Sequence, residues 1–188
     1  MSGPGTALHA EAVAALRAVP APLPDAVGAL GSDPGLYAWW AAPSVLPAVG
    51  GGEHPDADLR LLDTGAATMM RNRVTRQHLY RTGVSELRRT LAGLLLGELD
   101  LAPTWAADVV LPRADEERLT AWMRAHLTLT CWAHADRHAA ADLLPGVVDA
   151  LDPGLRADTE PARSALARYT AAAGERTARV VGVPFRRP

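Results

Sequence analysis

The chain has 188 residues, 48% of them hydrophobic and 21% charged, with a formal net charge of −2. Such a composition can bury a core of ordinary domain size and is unlike that of a disordered chain. No run approaches the roughly 18 apolar residues that a membrane span needs, and the near-neutral balance speaks against a dedicated nucleic-acid binder, which usually carries a basic excess.

Residues 7–18 (ALHAEAVAALRA) space their apolar positions by three and four, the pattern of a helix. Pro20, Pro22 and Pro24 follow and are expected to end it, since proline lacks the N–H that a helix needs. Residues 35–41 (GLYAWWA), bounded by Pro34 and Pro43, read as a buried strand. Residues 42–57 are rich in proline and glycine and read as a loop. Residues 59–64 (LRLLDT) form a second strand, stopped by Gly65. Residues 67–80 read as a helix with Met70, Val74 and Leu79 turned inward; Gly83 breaks it and Ser85 caps the next, residues 86–98. Residues 115–126 form a helix whose first turn (Asp115, Glu116, Glu117) is expected to be a solvated acidic face. Residues 127–133 (LTLTCWA) alternate as a third strand. Residues 137–151 form a helix interrupted at Pro145-Gly146, residues 159–173 a terminal helix, and residues 180–188 a tail with some strand character. The expected architecture is α+β: one domain whose small, mostly antiparallel three-stranded sheet is flanked by helices.

All 19 basic side chains are arginine and alanine abounds, a bias that suits a high-GC bacterial genome. The first residues lack the basic and apolar regions of a secretory signal, so the expected location is cytoplasmic. The single cysteine, Cys131, cannot close an intrachain disulfide and is expected to be a small core residue; Leu94, Leu95 and Trp122 are expected in the core as well.

Four segments, in order, resemble the GIY-YIG nuclease superfamily. Gly35-Leu36-Tyr37 resembles its first motif, and Leu61-Leu62-Asp63-Thr64-Gly65 stands where the second is expected. Asn72-Arg73-Val74 with Gln77-His78-Leu79 resembles the helix of the family's catalytic arginine, and Leu151-Asp152-Pro153-Gly154-Leu155 the turn after its last core helix. The resemblance runs over residues 34–156, leaving an N-terminal helix and a C-terminal helix and tail as extensions. It implies that Tyr37 corresponds to the first catalytic tyrosine and Arg73 to the arginine. The second tyrosine is replaced by a leucine or by Asp63, depending on register. Leu144 stands where the resemblance implies a metal-binding glutamate, and Arg156 replaces an asparagine. Leucine cannot ligate magnesium, and Asp142 and Asp149 would point about 200° and about 140° away from Leu144 on a regular helix. Pro145 and Gly146 are expected to disturb that helix.

The candidate site is therefore Tyr37, Asp63, Arg73 and His78, with Arg71 and Arg76 as anion-binding neighbours in an arginine cluster that extends to Arg81, Arg88 and Arg89. At about 100° per residue, Arg73 and His78 would point about 140° apart and share only the edges of a cleft. Asp63 also reads as a turn residue in Asp63-Thr64-Gly65. His134 and His138, with Asp136 between them, have i, i+4 spacing but no third ligand, so no metal and no cofactor are expected. The function expected is that of a repurposed scaffold, without standard endonuclease activity, which acts on an anionic small molecule or supports such chemistry, as in bacterial specialised metabolism. Its partners would be that molecule, another protein or a second copy of the chain, and no membrane. The alternatives are a metal-dependent DNA endonuclease using Asp63, and a non-catalytic DNA-binding or accessory subunit. If exposed, Trp39-Trp40 would mark a partner surface.

Overall fold

The computed structural model describes residues 4–181. In chain order the elements are α1 (Pro4–Leu16), β1 (Ala21–Pro22), α2 (Leu23–Ala29), β2 (Gly35–Ala41), β3 (Arg60–Ala67), α3 (Met70–Asn72) running into a π-helix (Arg73–His78), a 3₁₀ turn (Thr82–Val84), α4 (Glu86–Leu94), β4 (Thr104–Trp105), β5 (Val109–Val110), α5 (Arg113–His126), β6 (Leu127–Ala133), α6 (Arg137–Leu151) and α7 (Glu160–Val181). The main sheet has the order β1-β6-β2-β3 and every pairing is antiparallel. The three long strands are those expected, and the class is α+β as expected.

The sheet is packed on both faces, and the pleat of β2 divides the core. Leu36, Ala38 and Trp40 join a cluster with residues of α1 and α6. Tyr37, Trp39 and Ala41 join a larger cluster with the π-helix, α4, α5 and α7. A strand buried on both sides reads as a near-continuous apolar run, which GLYAWWA is. Both tryptophans are buried, so the pair marks no partner surface.

Several expectations need correction. The proline-rich stretch after α1 holds a two-residue strand and α2, because proline at an edge strand or in the first turn of a helix gives up no required N–H. Gly65 does not end β3, which runs on to Ala67. The β4–β5 hairpin was too short to leave a pattern in the sequence. Pro145 does not interrupt α6: the carbonyl that its missing N–H would have met belongs to Ala141, an exposed residue. Of the expected tail, residues 180–181 end α7 and the rest lies outside the described residues.

Glycine lets backbones interlock at one end of the sheet. Gly52 N–H donates to Asp152 O (2.8 Å), Leu61 N–H to Gly52 O (2.9 Å), and Gly154 N–H to Leu61 O (3.0 Å). A Cβ on Gly154 would lie 2.0 Å from Gly50 O, and Gly51 has a φ of +125°. The 151–155 turn is thereby fixed against β3, which brings the C-terminal end of α6 to the edge of the sheet.

Candidate active-site cleft

Tyr37 pairs with Gly65 across β2 and β3. A Cβ on Gly65 would stand 2.3 Å from the Tyr37 hydroxyl. Only glycine lets the ring cross its neighbour strand and bring the hydroxyl to a cleft of about 520 Å³ beside β3. Thr64 Oγ1 donates to Tyr37 O (2.8 Å) and fastens the pair.

Arg73 and His78 meet on that hydroxyl: Arg73 Nε donates to it at 3.4 Å and His78 Nε2 lies 2.9 Å from it. The expectation of about 140° between them assumed a regular helix. The segment is instead a π-helix, closed by Leu79 N–H donating to Val74 O (3.1 Å). A turn of i→i+5 hydrogen bonds stacks residues five apart on one face. Arg73 NH1 also donates to Gln77 Oε1. The same periodicity carries Arg71 and Arg76, also five apart, to an exposed side. Arg71 donates from Nε to Leu30 O (2.9 Å), and neither residue lines the cleft.

Behind His78 stands a polar hub. Ser85 caps α4 by accepting from Arg88 N–H (3.1 Å), and its Oγ lies 2.7 Å from His78 Nδ1. The Arg88 guanidinium, 0% exposed, bonds Glu116 Oε2 (2.8 Å), Thr82 Oγ1 (3.1 Å), Leu79 O (2.7 Å), Thr120 Oγ1 (2.9 Å) and Glu116 O (2.6 Å). Arg88 is therefore no member of a surface anion cluster. Nor is the start of α5 a solvated acidic face: Asp115 is buried and accepts from Ala102 N–H (2.6 Å), Glu116 serves the hub, and only Glu117 is exposed. Burial, with Arg73 and then Arg88 nearby, pushes the His78 imidazole down to about 3, so it is neutral at physiological pH. Burial, assisted by Asp63, pushes the Tyr37 phenol up to about 12 against the opposing pull of Arg73.

Asp63 lines the cleft while Leu61 and Leu62 are buried in the core: of the candidates in this segment the carboxylate, and not a leucine, faces the cleft. Burial, then the neighbouring Glu86, raise the Asp63 carboxyl to about 7; the Thr64 N–H and Arg73 pull it the other way. Glu86, the first residue of α4, also lines the cleft, as do Arg156 and Asp158, which are paired at 3.1 Å. The sequence reading passed over Glu86, although its place just after the Ser85 cap was a signal. Leu144 forms part of the wall. Asp142 and Asp149 do not line the cleft.

The divalent metal implied by the resemblance needs oxygen donors. Its implied ligand position is the hydrocarbon of Leu144, and no group of three His, Cys, Asp or Glu among the described residues could hold a metal. Leu144 therefore supplies no ligand there, and the carboxylates that line the cleft are those of Asp63, Glu86 and Asp158. Asp136, between His134 and His138, is the N-cap of α6, accepting from His138 N–H (2.8 Å) and Ala139 N–H (3.3 Å), while His134 stacks on Trp132. Cys131 is a half-buried free thiol whose pKa is pushed up to about 12 by burial. No helix among the described residues is long and apolar enough to cross a membrane.

No curated protein and no solved structure matches the chain. A family model described as the GIY-YIG catalytic domain matches residues 35–143, from the first residue of β2 into α6. That stretch holds Tyr37, Asp63, Gly65, Arg73 and His78, and it is more than half of the chain: the protein belongs to the GIY-YIG family and has its nuclease-type fold.

Proposed function

We propose that the cleft binds a small molecule carrying a phosphate or sulfate group and acts on it through Tyr37, Asp63, Arg73 and His78, without the metal-assisted DNA cleavage of the family. The observation that carries this reading is the convergence of Arg73 and His78 on one tyrosine hydroxyl in a cleft of about 520 Å³. Arg73 uses Nε and NH1 within the protein, and its NH2 takes part in none of the hydrogen bonds described above. A guanidinium with a free edge grips an oxyanion. Asp63, with a carboxyl that changes state near neutral pH, suits proton transfer to or from the bound group. Leu144 favours the same reading, because the position at which the resemblance implies a metal-binding glutamate carries no oxygen donor.

Calorimetric titration with inorganic phosphate and with sulfate tests the reading. Binding is expected, weakened at least tenfold in Arg73→Ala, while supercoiled plasmid stays intact in magnesium or manganese. Plasmid cleavage that needs both Arg73 and a divalent metal would overturn it in favour of an atypical nuclease. Absence of any anion binding would overturn it as well.

A further inference from the structure

Ser85 is 0% exposed and its hydroxyl has two partners, the N–H of Arg88 and Nδ1 of His78. Toward Arg88 the hydroxyl oxygen must accept. Its own hydrogen then has one acceptor in reach, His78 Nδ1, and a buried hydroxyl without an acceptor is costly. His78 is itself buried, faced by Arg73 from its own helix, by Ser85 and Arg88 from α4, and by Tyr37 and Trp39 from β2. Burial first, and then the two cations, keep the imidazole neutral. A neutral imidazole that accepts at Nδ1 carries its hydrogen at Nε2, which points at Tyr37 from 2.9 Å. The Tyr37 oxygen thus accepts from His78 and, more weakly, from Arg73.

We propose that Ser85 and the backbone N–H of Arg88 are positioning groups which fix the His78 tautomer, so that Tyr37 turns its hydroxyl hydrogen outward as a donor to an oxygen of the bound ligand. The relay runs Arg88 N–H to Ser85, Ser85 O–H to His78 Nδ1, His78 Nε2–H to Tyr37, and Tyr37 O–H to the cleft. Tyr37 in this setting is a donor, not a base. The ligand end of the relay rests on the anion reading given above; the tautomer does not.

Two substitutions separate the relay from simple helix capping, because aspartate and asparagine both cap well. Ser85→Asn still accepts from Arg88 N–H through its carbonyl and still donates to Nδ1 through its NH2. Ser85→Asp, as the carboxylate, can only accept, which places a hydrogen on Nδ1 and, at a pH where the ring is neutral (read from both nitrogens), turns Nε2 into an acceptor for the Tyr37 proton. The imidazole nitrogens are read by long-range ¹H–¹⁵N NMR on the folded full chain, and inorganic phosphate affinity by calorimetry. The expected result is an unprotonated Nδ1 in the wild type and in Ser85→Asn, a protonated Nδ1 in Ser85→Asp, and phosphate affinity at least tenfold lower in Ser85→Asp than in Ser85→Asn. A protonated Nδ1 in the wild type, or the same tautomer in both variants, would overturn the relay. An unprotonated Nδ1 that reverses as expected, in a protein that binds no phosphate, would uphold the relay and sink the anion reading instead.

Discussion

Arg88 and Arg73 both face His78, and their surroundings differ in nearly every respect. Arg88 is sealed between α4, α5 and the end of the π-helix, with Glu116, two threonine hydroxyls and backbone carbonyls around its guanidinium. Arg73 is half-buried at the cleft, held only by Gln77 and, at 3.4 Å, by Tyr37. A buried charge is tolerated when every donor is matched; the spare donors of Arg73 are those to which the proposed function assigns an anion. The hub supplies rigidity and the cleft supplies capacity, and His78 is the residue they share.

Four experiments press on that contrast. Arg88→Met should destabilise the fold by about 3–5 kcal/mol, since it removes the buried cation paired with Glu116 and leaves that carboxylate only the N–H and hydroxyl of Thr82; urea unfolding measures this, and a loss below about 1 kcal/mol would mean that the hub is no more than packing. Next in size is Gly65→Ala. Its Cβ would meet the Tyr37 hydroxyl, so the ring must move at a cost of about 1–3 kcal/mol, and anion binding should fall with it; unchanged binding would detach Tyr37 from the site.

The third experiment concerns pH. Asp63 is raised to about 7 in the folded protein, so its contribution is full below about pH 4 and is lost as pH climbs toward 7. His78 is lowered to about 3, so its contribution is full above about pH 6.5 and is lost as pH falls toward 3. The two slopes oppose each other between about pH 4 and 6.5. Relative to wild type, Asp63→Asn should lose melting temperature more steeply on acidification, and His78→Gln should gain it; parallel curves for all three proteins would refute the assigned environments. The smallest effect on the fold is expected for Arg73→Ala, within about 0.5 kcal/mol, in keeping with a side chain held for a ligand. A larger loss would make Arg73 a second structural arginine.

The apolar frame was legible in the sequence for a plain reason. GLYAWWA has no polar position to expose, and a strand buried on both faces must look like that. Tyr37, Asp63, Arg73 and His78 were legible as a set, because their order along the chain resembles the family motifs. The convergence was not: nothing in Arg73–His78 distinguishes a π turn from an α turn, and one wrong period put two neighbours on different faces. The hub was hidden for another reason. Arg88 is matched by Glu116 and Thr120, about thirty residues away on another helix, and a distant partner leaves no local pattern. An arginine in a sequence reads as a surface charge until its acceptors are found, and that rule also misplaced Asp115 and Glu116.

The glycine interlock at the end of the sheet has a bearing on solubility. An outermost strand normally offers a row of free backbone groups on which another chain can add itself, the first step toward fibrous growth. Here the outer side of β3 at Leu61 and Leu62 is taken up by Gly52, Gly154 and Leu155, and its continuation begins with the Asp63 carboxyl. At the opposite margin the sheet stops at a two-residue strand containing Pro22, which has no N–H to offer. A sheet capped in this way at Leu61, Leu62 and Pro22 offers a second copy of itself fewer backbone groups on which to pair, while the cleft stays open beside β3.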